Sequence, residues 1–183
     1  MACPLCGQEA CYRQITPYWR QAIDLFPEFK KKRIPIARFL CSSRKKTFSL
    51  LPIQLIPYFQ YTLSAVLGTL LLALECHQRG QRGFHGASLE VDPDSLVTPW
   101  LVACWLMVIL TGLRRAHPVL RKWVDLTSIH TPKRPRAWEE VSAYFLCLGW
   151  KAQGPRLREV LQQYSRTTRH FLFGTPSQLR LGR

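Results

Sequence analysis

Apolar positions follow two different rhythms along this chain. Up to about residue 52 they come as short β-branched and aromatic runs set between polar and basic clusters: Ile34-Pro-Ile-Ala-Arg-Phe-Leu40, a polar turn after Cys41, then Thr47-Phe-Ser-Leu-Leu-Pro52. That reads as strand, knuckle, strand, with Phe39, Phe48 and Leu50 packed inside. Beyond residue 58 the period lengthens. Leu63, Val66, Leu70 and Leu74, then Leu101, Trp105, Leu106 and Ile109, recur at helical spacing and predict two stripes buried against each other.

Punctuation sets the expected boundaries. A helix over 58–78 ends at Arg79-Gly80 and releases into a turn-rich loop from Gly80 to Ala87. A second runs from Asp94 to Ala116, with Asp92 and Asp94 as an N-cap pair, and Pro118 divides it from a third that reaches Leu126. Thr131-Pro-Lys-Arg-Pro-Arg136 reads as a basic linker, followed by helices Ala137 to Leu148 and Pro155 to Arg169 and a flexible tail from Gly174 to Arg183. Tyr18 to Phe29 is assigned a short helix within the N-terminal part. The expected fold class is α+β, mainly α: a ribbon-like β module over 1–52, a helical core over 58–126, and linker, short helices and tail over 127–183.

Two stretches call for a membrane test. Neither 47–74 nor the 19 residues 95–113 contain a charge, and a spanning helix needs about 20 mostly apolar residues. Pro52 and Pro57 break the first, leaving only Leu63 to Leu74 continuously apolar. The mean hydropathy of −0.08 argues for buried helices, with a membrane-associated helical protein as the alternative.

Charge narrows the class of partner. The net charge is +15 over 183 residues, an excess that selects polyanions, either nucleic acid or anionic lipid. Residues 1–60 carry +7, 114–136 carry +6 and 151–183 carry +6, whereas 61–113 and 137–150 carry −2 each. Basic blocks therefore alternate with apolar ones. Lys30, Lys31, Lys32 and Arg33 precede the first expected strand, and Arg44, Lys45 and Lys46 fill the knuckle after it. Together with Arg38 they are the expected phosphate contacts, on one edge of a hairpin. Arg114, Arg115, Arg121 and Lys122 form a second candidate set.

The seven cysteines do not pair as a secreted disulfide framework, and Met-Ala-Cys-Pro is not the start of a signal peptide; a reducing cytoplasm is the expectation. Cys3-Pro-Leu-Cys6 is a two-ligand knuckle, while Cys41-Ser-Ser-Arg44 has Arg where a second pair would end. Tetrahedral zinc takes four soft ligands. With Cys3, Cys6 and Cys41 as three, the fourth is open among Cys11, water and a neighbouring chain. The competing assignment is a small core of unligated buried cysteines. On three ligands, restoring cysteine at position 44 should raise zinc to one ion per chain.

Cys3, Pro4, Cys6, Gly7, Arg38, Cys41, Thr47, Phe48, Ser49, Leu51, Pro52, Pro57, Tyr58 and Tyr61 agree in order and spacing with a known pattern. Over the first third of its length the chain resembles the N-terminal zinc-ribbon family of transposase-like proteins in bacterial mobile elements. The resemblance implies a zinc ribbon followed by a helix-turn-helix, double-stranded DNA as ligand, and a transposase or recombinase subunit as partner. Arg44 departs from the family pattern. Residues 96–110 are too apolar for a recognition helix.

No catalytic constellation accompanies these features. A two-metal transposase core needs three carboxylates on an α/β scaffold, and the eleven acids here are scattered. His77, His85, His117, His130 and His170 have no metal spacing, and no nucleotide or nucleophile motif occurs. The expected function is a non-enzymatic, DNA-binding, transposase-related accessory protein, or a decayed mobile-element product.

Overall fold

The computed structural model describes residues 2–92, 96–129, 136–149, 155–168 and 170–173. Within them the chain is α+β: a three-stranded antiparallel sheet in the order β1-β2-β3, then five helices. The strands are β1 Tyr12–Asp24, β2 Lys30–Cys41 and β3 Thr47–Leu50. The helices are α1 Leu63–Gln78, α2 Gly83–Val91, α3 Pro99–Leu120, α4 Ala137–Leu148 and α5 Pro155–Thr168.

β2 and β3 match the expected strand, knuckle, strand. β1 does not match the helix assigned to Tyr18–Phe29. Tyr12–Asp24 is an extended strand because it pairs with β2 from Tyr12↔Cys41 to Asp24↔Lys30, with an interruption between Ile15 and Tyr18, and that pairing satisfies the backbone groups on its inner edge. The prolines sit where a missing N–H costs least. Pro17 falls in the register shift between Ile15 and Tyr18, and Pro35 lies where β2 has run past β3, whose pairing stops at Ala37↔Leu50. Leu50 is 41% exposed, so the inner residues of the β module are Phe48 and the half-buried Phe39, and not Leu50.

The sheet is fastened to the helices near one end. Ile23 donates its N–H to the Gln60 carbonyl and accepts from Thr62 N–H. Arg20, half-buried, donates to the carbonyls of Ile56 (2.6 Å) and Phe59. The 58–62 segment is therefore spent on this docking, and α1 starts only at Leu63, with Thr62 as its cap accepting from Ala65 N–H at 3.2 Å. Asp24 accepts from the Thr62 and Ser64 hydroxyls beside that start.

The loop expected over Gly80–Ala87 is largely α2. Gly80, at φ +78°, does make the turn, but Gly83 serves close packing: a Cβ there would stand 2.7 Å from the Ala73 carbonyl on α1. Thr98, and not Asp92, caps α3, accepting from Leu101 N–H at 3.2 Å; Asp92 ends α2 and accepts from Val97 N–H at 2.7 Å, and Asp94 lies outside the described residues. Pro118 does not divide α3, because it stands in the last turn, where one lost hydrogen bond is tolerated.

One core joins the helices. Leu63, Val66, Leu70, Trp105, Leu106 and Ile109 are buried in it, with Leu74 and Leu101 half-buried against it. It also takes Tyr144, Phe145, Leu161, Leu172 and Phe173 from the C-terminal part, Ile23 from β1 and Leu25 from the turn after it. α3 is long and apolar enough to cross a bilayer, and Trp105, Ile109 and Leu113 on it are buried inside the fold. The linker 131–135 and the tail 174–183 lie outside the described residues.

Candidate metal centre

At the end of the sheet away from the helices, two turns share one geometry. In the first, Cys3 N–H bonds the Gln8 carbonyl, and Gly7 N–H bonds the Cys3 carbonyl at 2.8 Å. In the second, Cys41 N–H bonds the Lys46 carbonyl, and Lys45 N–H bonds the Cys41 carbonyl at 2.9 Å. Gly7 at φ +77° corresponds to Lys45 at φ +53°. Cys3 thus matches Cys41, and Cys6 matches Arg44. The second knuckle keeps its backbone; Arg44 N–H points at the Cys41 sulfur at 3.3 Å, and its side chain is exposed.

Cys11 supplies the missing thiol. β1 begins at Tyr12 opposite Cys41, and the Cys11 carbonyl accepts from Ser42 N–H at 2.8 Å, which holds Cys11 against the second turn. The Sγ atoms of Cys3, Cys6, Cys11 and Cys41 all lie within 4.8 Å of one another. Cys6 and Cys11 are 3.0 Å apart, Cys6 and Cys41 3.7 Å, and Cys11 and Cys41 3.9 Å. Tetrahedral bonds of about 2.3 Å place neighbouring sulfurs roughly 3.8 Å apart. The cluster can therefore hold a metal ion with little rearrangement.

The surrounding core is very small. Among the described residues only Cys3, Cys41 and Phe48 are buried there, with Leu5, Tyr12 and Phe39 against them; Tyr12 meets Phe39 and Phe48 edge-on at 5.6 Å. Two of the three buried residues are cysteines of the cluster, so an ion held there would be much of the core. The Cys11 thiol beside Cys6 draws Cys6 down to about 7, while the same contact holds Cys11 above the ordinary thiol range. Cys76, Cys104 and Cys147 do not join the cluster.

The expected cationic sets are not brought together as one edge. Lys30–Arg33 open β2 beside the helices, while Arg44, Lys45 and Lys46 lie in the turn after it; Arg33 and Cys41 alone are separated by eight extended residues, roughly 26 Å. All seven are exposed, as is Arg38, which donates to the Thr47 hydroxyl at 3.2 Å. Lys30 pairs with Glu28. In the second set, Arg114 grips Glu140 through two bonds of 2.9 and 2.6 Å, and Arg115 donates to the carbonyls of Phe171 and Leu172. Those two are structural ties. Arg121 and Lys122 are exposed at the end of α3.

No family model, no curated protein and no solved structure matches the chain.

Proposed function

We propose that this chain is a non-catalytic DNA-binding protein in which Cys3, Cys6, Cys11 and Cys41 hold one structural Zn²⁺ at the outer end of a basic β-sheet. The observation that carries the reading is the convergence of four thiols from three separate chain segments in a part of the fold with almost no other core. Four thiolates select zinc or iron among common metals, and a purely structural site favours redox-inert zinc. This is the metal module implied by the resemblance to the zinc-ribbon family of transposase-like proteins, with Cys11 in place of the second knuckle's lost cysteine. On that resemblance the partners are double-stranded DNA and a transposase or recombinase subunit.

DNA would be met by the sheet. Lys30, Lys31, Lys32, Arg33, Arg38, Arg44, Lys45 and Lys46 are exposed along β2 and its turn, so a duplex would lie along the strand to reach both groups. The helix-turn-helix reading receives less support: Leu96, Trp100 and Met107, exposed on or beside α3, are apolar, and Arg114 and Arg115 are engaged within the fold. Of the second candidate set, Arg121 and Lys122 remain exposed. The test is affinity for a short duplex as a function of salt. With about five phosphates neutralised, log K falls with log salt at a slope near −4 to −5, and replacing Lys30–Arg33 by Ala flattens it by about 0.9 for each phosphate left without its cation. A protein that ignores DNA even at low salt defeats the reading.

The second reading, association of the helical part with an anionic membrane surface, draws on the exposed Trp100 (75%) and its neighbours Leu96 and Met107. Co-sedimentation with anionic vesicles in the absence of DNA would favour it.

A further inference from the structure

Between the β1 irregularity and the β1–β2 turn, one face of the hairpin is turned outward. Trp19 lies opposite Pro35, Gln21 opposite Arg33 and Ile23 opposite Lys31, and residues opposite one another share a face. The other face carries Ala22 and Ile36, both buried under Leu51 and Leu55. On the outward face only Ile23 is covered; Gln21, Lys31, Arg33 and Pro35 are exposed, and Trp19 is 58% exposed. The Arg33 guanidinium stands 5.7 Å from the centre of the Trp19 ring, within cation–π range.

A large aromatic left in water is not explained by the sheet's own packing. Its setting names the kind of ligand. Arg33 stands beside it and Lys31 lies farther along the same face, and the whole chain is at +15, so the occupant is a polyanion. On intact duplex DNA, where base faces are hidden by their neighbours, a flat indole beside a planar cation has no base face to lie against. It does offer a surface to a base that has left the stack, because every base has a face to lay on it.

We infer that Trp19 and Arg33 form a stacking platform for unpaired bases, so that this face binds single-stranded DNA, with Arg33 and Lys31 at the adjoining phosphates. The inference rests on the DNA-binding reading above and adds to it a preference for an unpaired strand.

The experiment is a fluorescence-anisotropy titration of the full chain with a labelled oligothymidylate of about 20 nucleotides and, separately, a blunt duplex of the same length. Trp19→Leu, which keeps an apolar side chain without a ring, should weaken single-strand binding by about 5- to 150-fold while duplex affinity changes less than about twofold. Trp19→Phe should recover most of the loss. Thermal melts of each variant verify the fold. Unchanged single-strand affinity in Trp19→Leu, or an equal loss on both DNAs, overturns the platform while leaving the duplex reading standing. Failure of the unaltered protein to bind either DNA overturns both.

Discussion

Cys6 and Cys11 bring their sulfur atoms to 3.0 Å, although one closes the first turn and the other sits at the entry to β1. Cys11 follows Cys6 by five positions, a wider spacing than that within a knuckle, and the hairpin register makes up the difference by pressing Cys11 against the turn that follows Cys41.

That contact revises the expectation for position 44. The purified protein should carry about one zinc per chain as it stands, and Arg44→Cys should leave that number unchanged. Cys11→Ser should weaken zinc binding by about 100-fold or more, since even loss of a residue behind a ligand costs 10–100-fold. Elemental analysis and competition with a chromogenic chelator check both. Zinc unchanged in Cys11→Ser, but increased in Arg44→Cys, would return the site to three protein ligands.

Thiol reactivity gives a pH test on the metal-free protein. Only the thiolate attacks an alkylating agent, and Cys6 is drawn down to about 7 by Cys11 while Cys11 is held up. As pH falls through about 7, Cys6 takes up its proton and alkylation by iodoacetamide slows; above that it is the first of the two to react. Peptide mass spectrometry after brief labelling across a pH series reads the midpoint. A midpoint near the ordinary thiol value of 9.0 would mean that the turns separate when metal is removed.

Glu140 supplies a stability test in the helical part. Its side chain is only 1% exposed, and its two oxygens face Arg114. Arg114→Ala leaves a buried carboxylate without its cation and should cost about 3 kcal/mol, the lower end of the range for broken buried pairs because Arg114 itself is half exposed. The double variant Arg114→Met, Glu140→Leu should recover much of that loss. Urea unfolding measures each, and the same pair of variants should leave DNA affinity within about twofold if Arg114 is not a phosphate contact.

The long-period stripes and the two strands around Cys41 were legible because each repeats a spacing that only one kind of element satisfies. β1 was not. Tyr18 to Phe29 mixes aromatic, basic and acidic residues in a way that suits a helix face as well as a strand, and what decides it is the pairing with β2, a long-range relation with no local mark. α2 was hidden by Gly83 and Gly86, which read as turn residues until α1 is seen pressed against them. At the cysteine cluster three members could be read from their knuckles, while Cys11 stood among alternatives because its neighbours are set by the hairpin register. The division of cations into exposed contacts and internal ties was also out of reach, since the partners of Arg114 and Arg115 lie 26 and 56 or more residues away.

The two matched turns bear on how such a chain can change over generations. Arg44 occupies the position that matches Cys6 in a turn of the same backbone, and Cys11, just ahead of β1, brings its thiol to the same cluster. A chain with cysteine at both 11 and 44 would offer five thiols for the four places of a tetrahedral site, so either could be exchanged with four remaining. Such a redundancy would let a set of donors shift along a chain one position at a time, and would leave the matched position free to carry a charge, as Arg44 does.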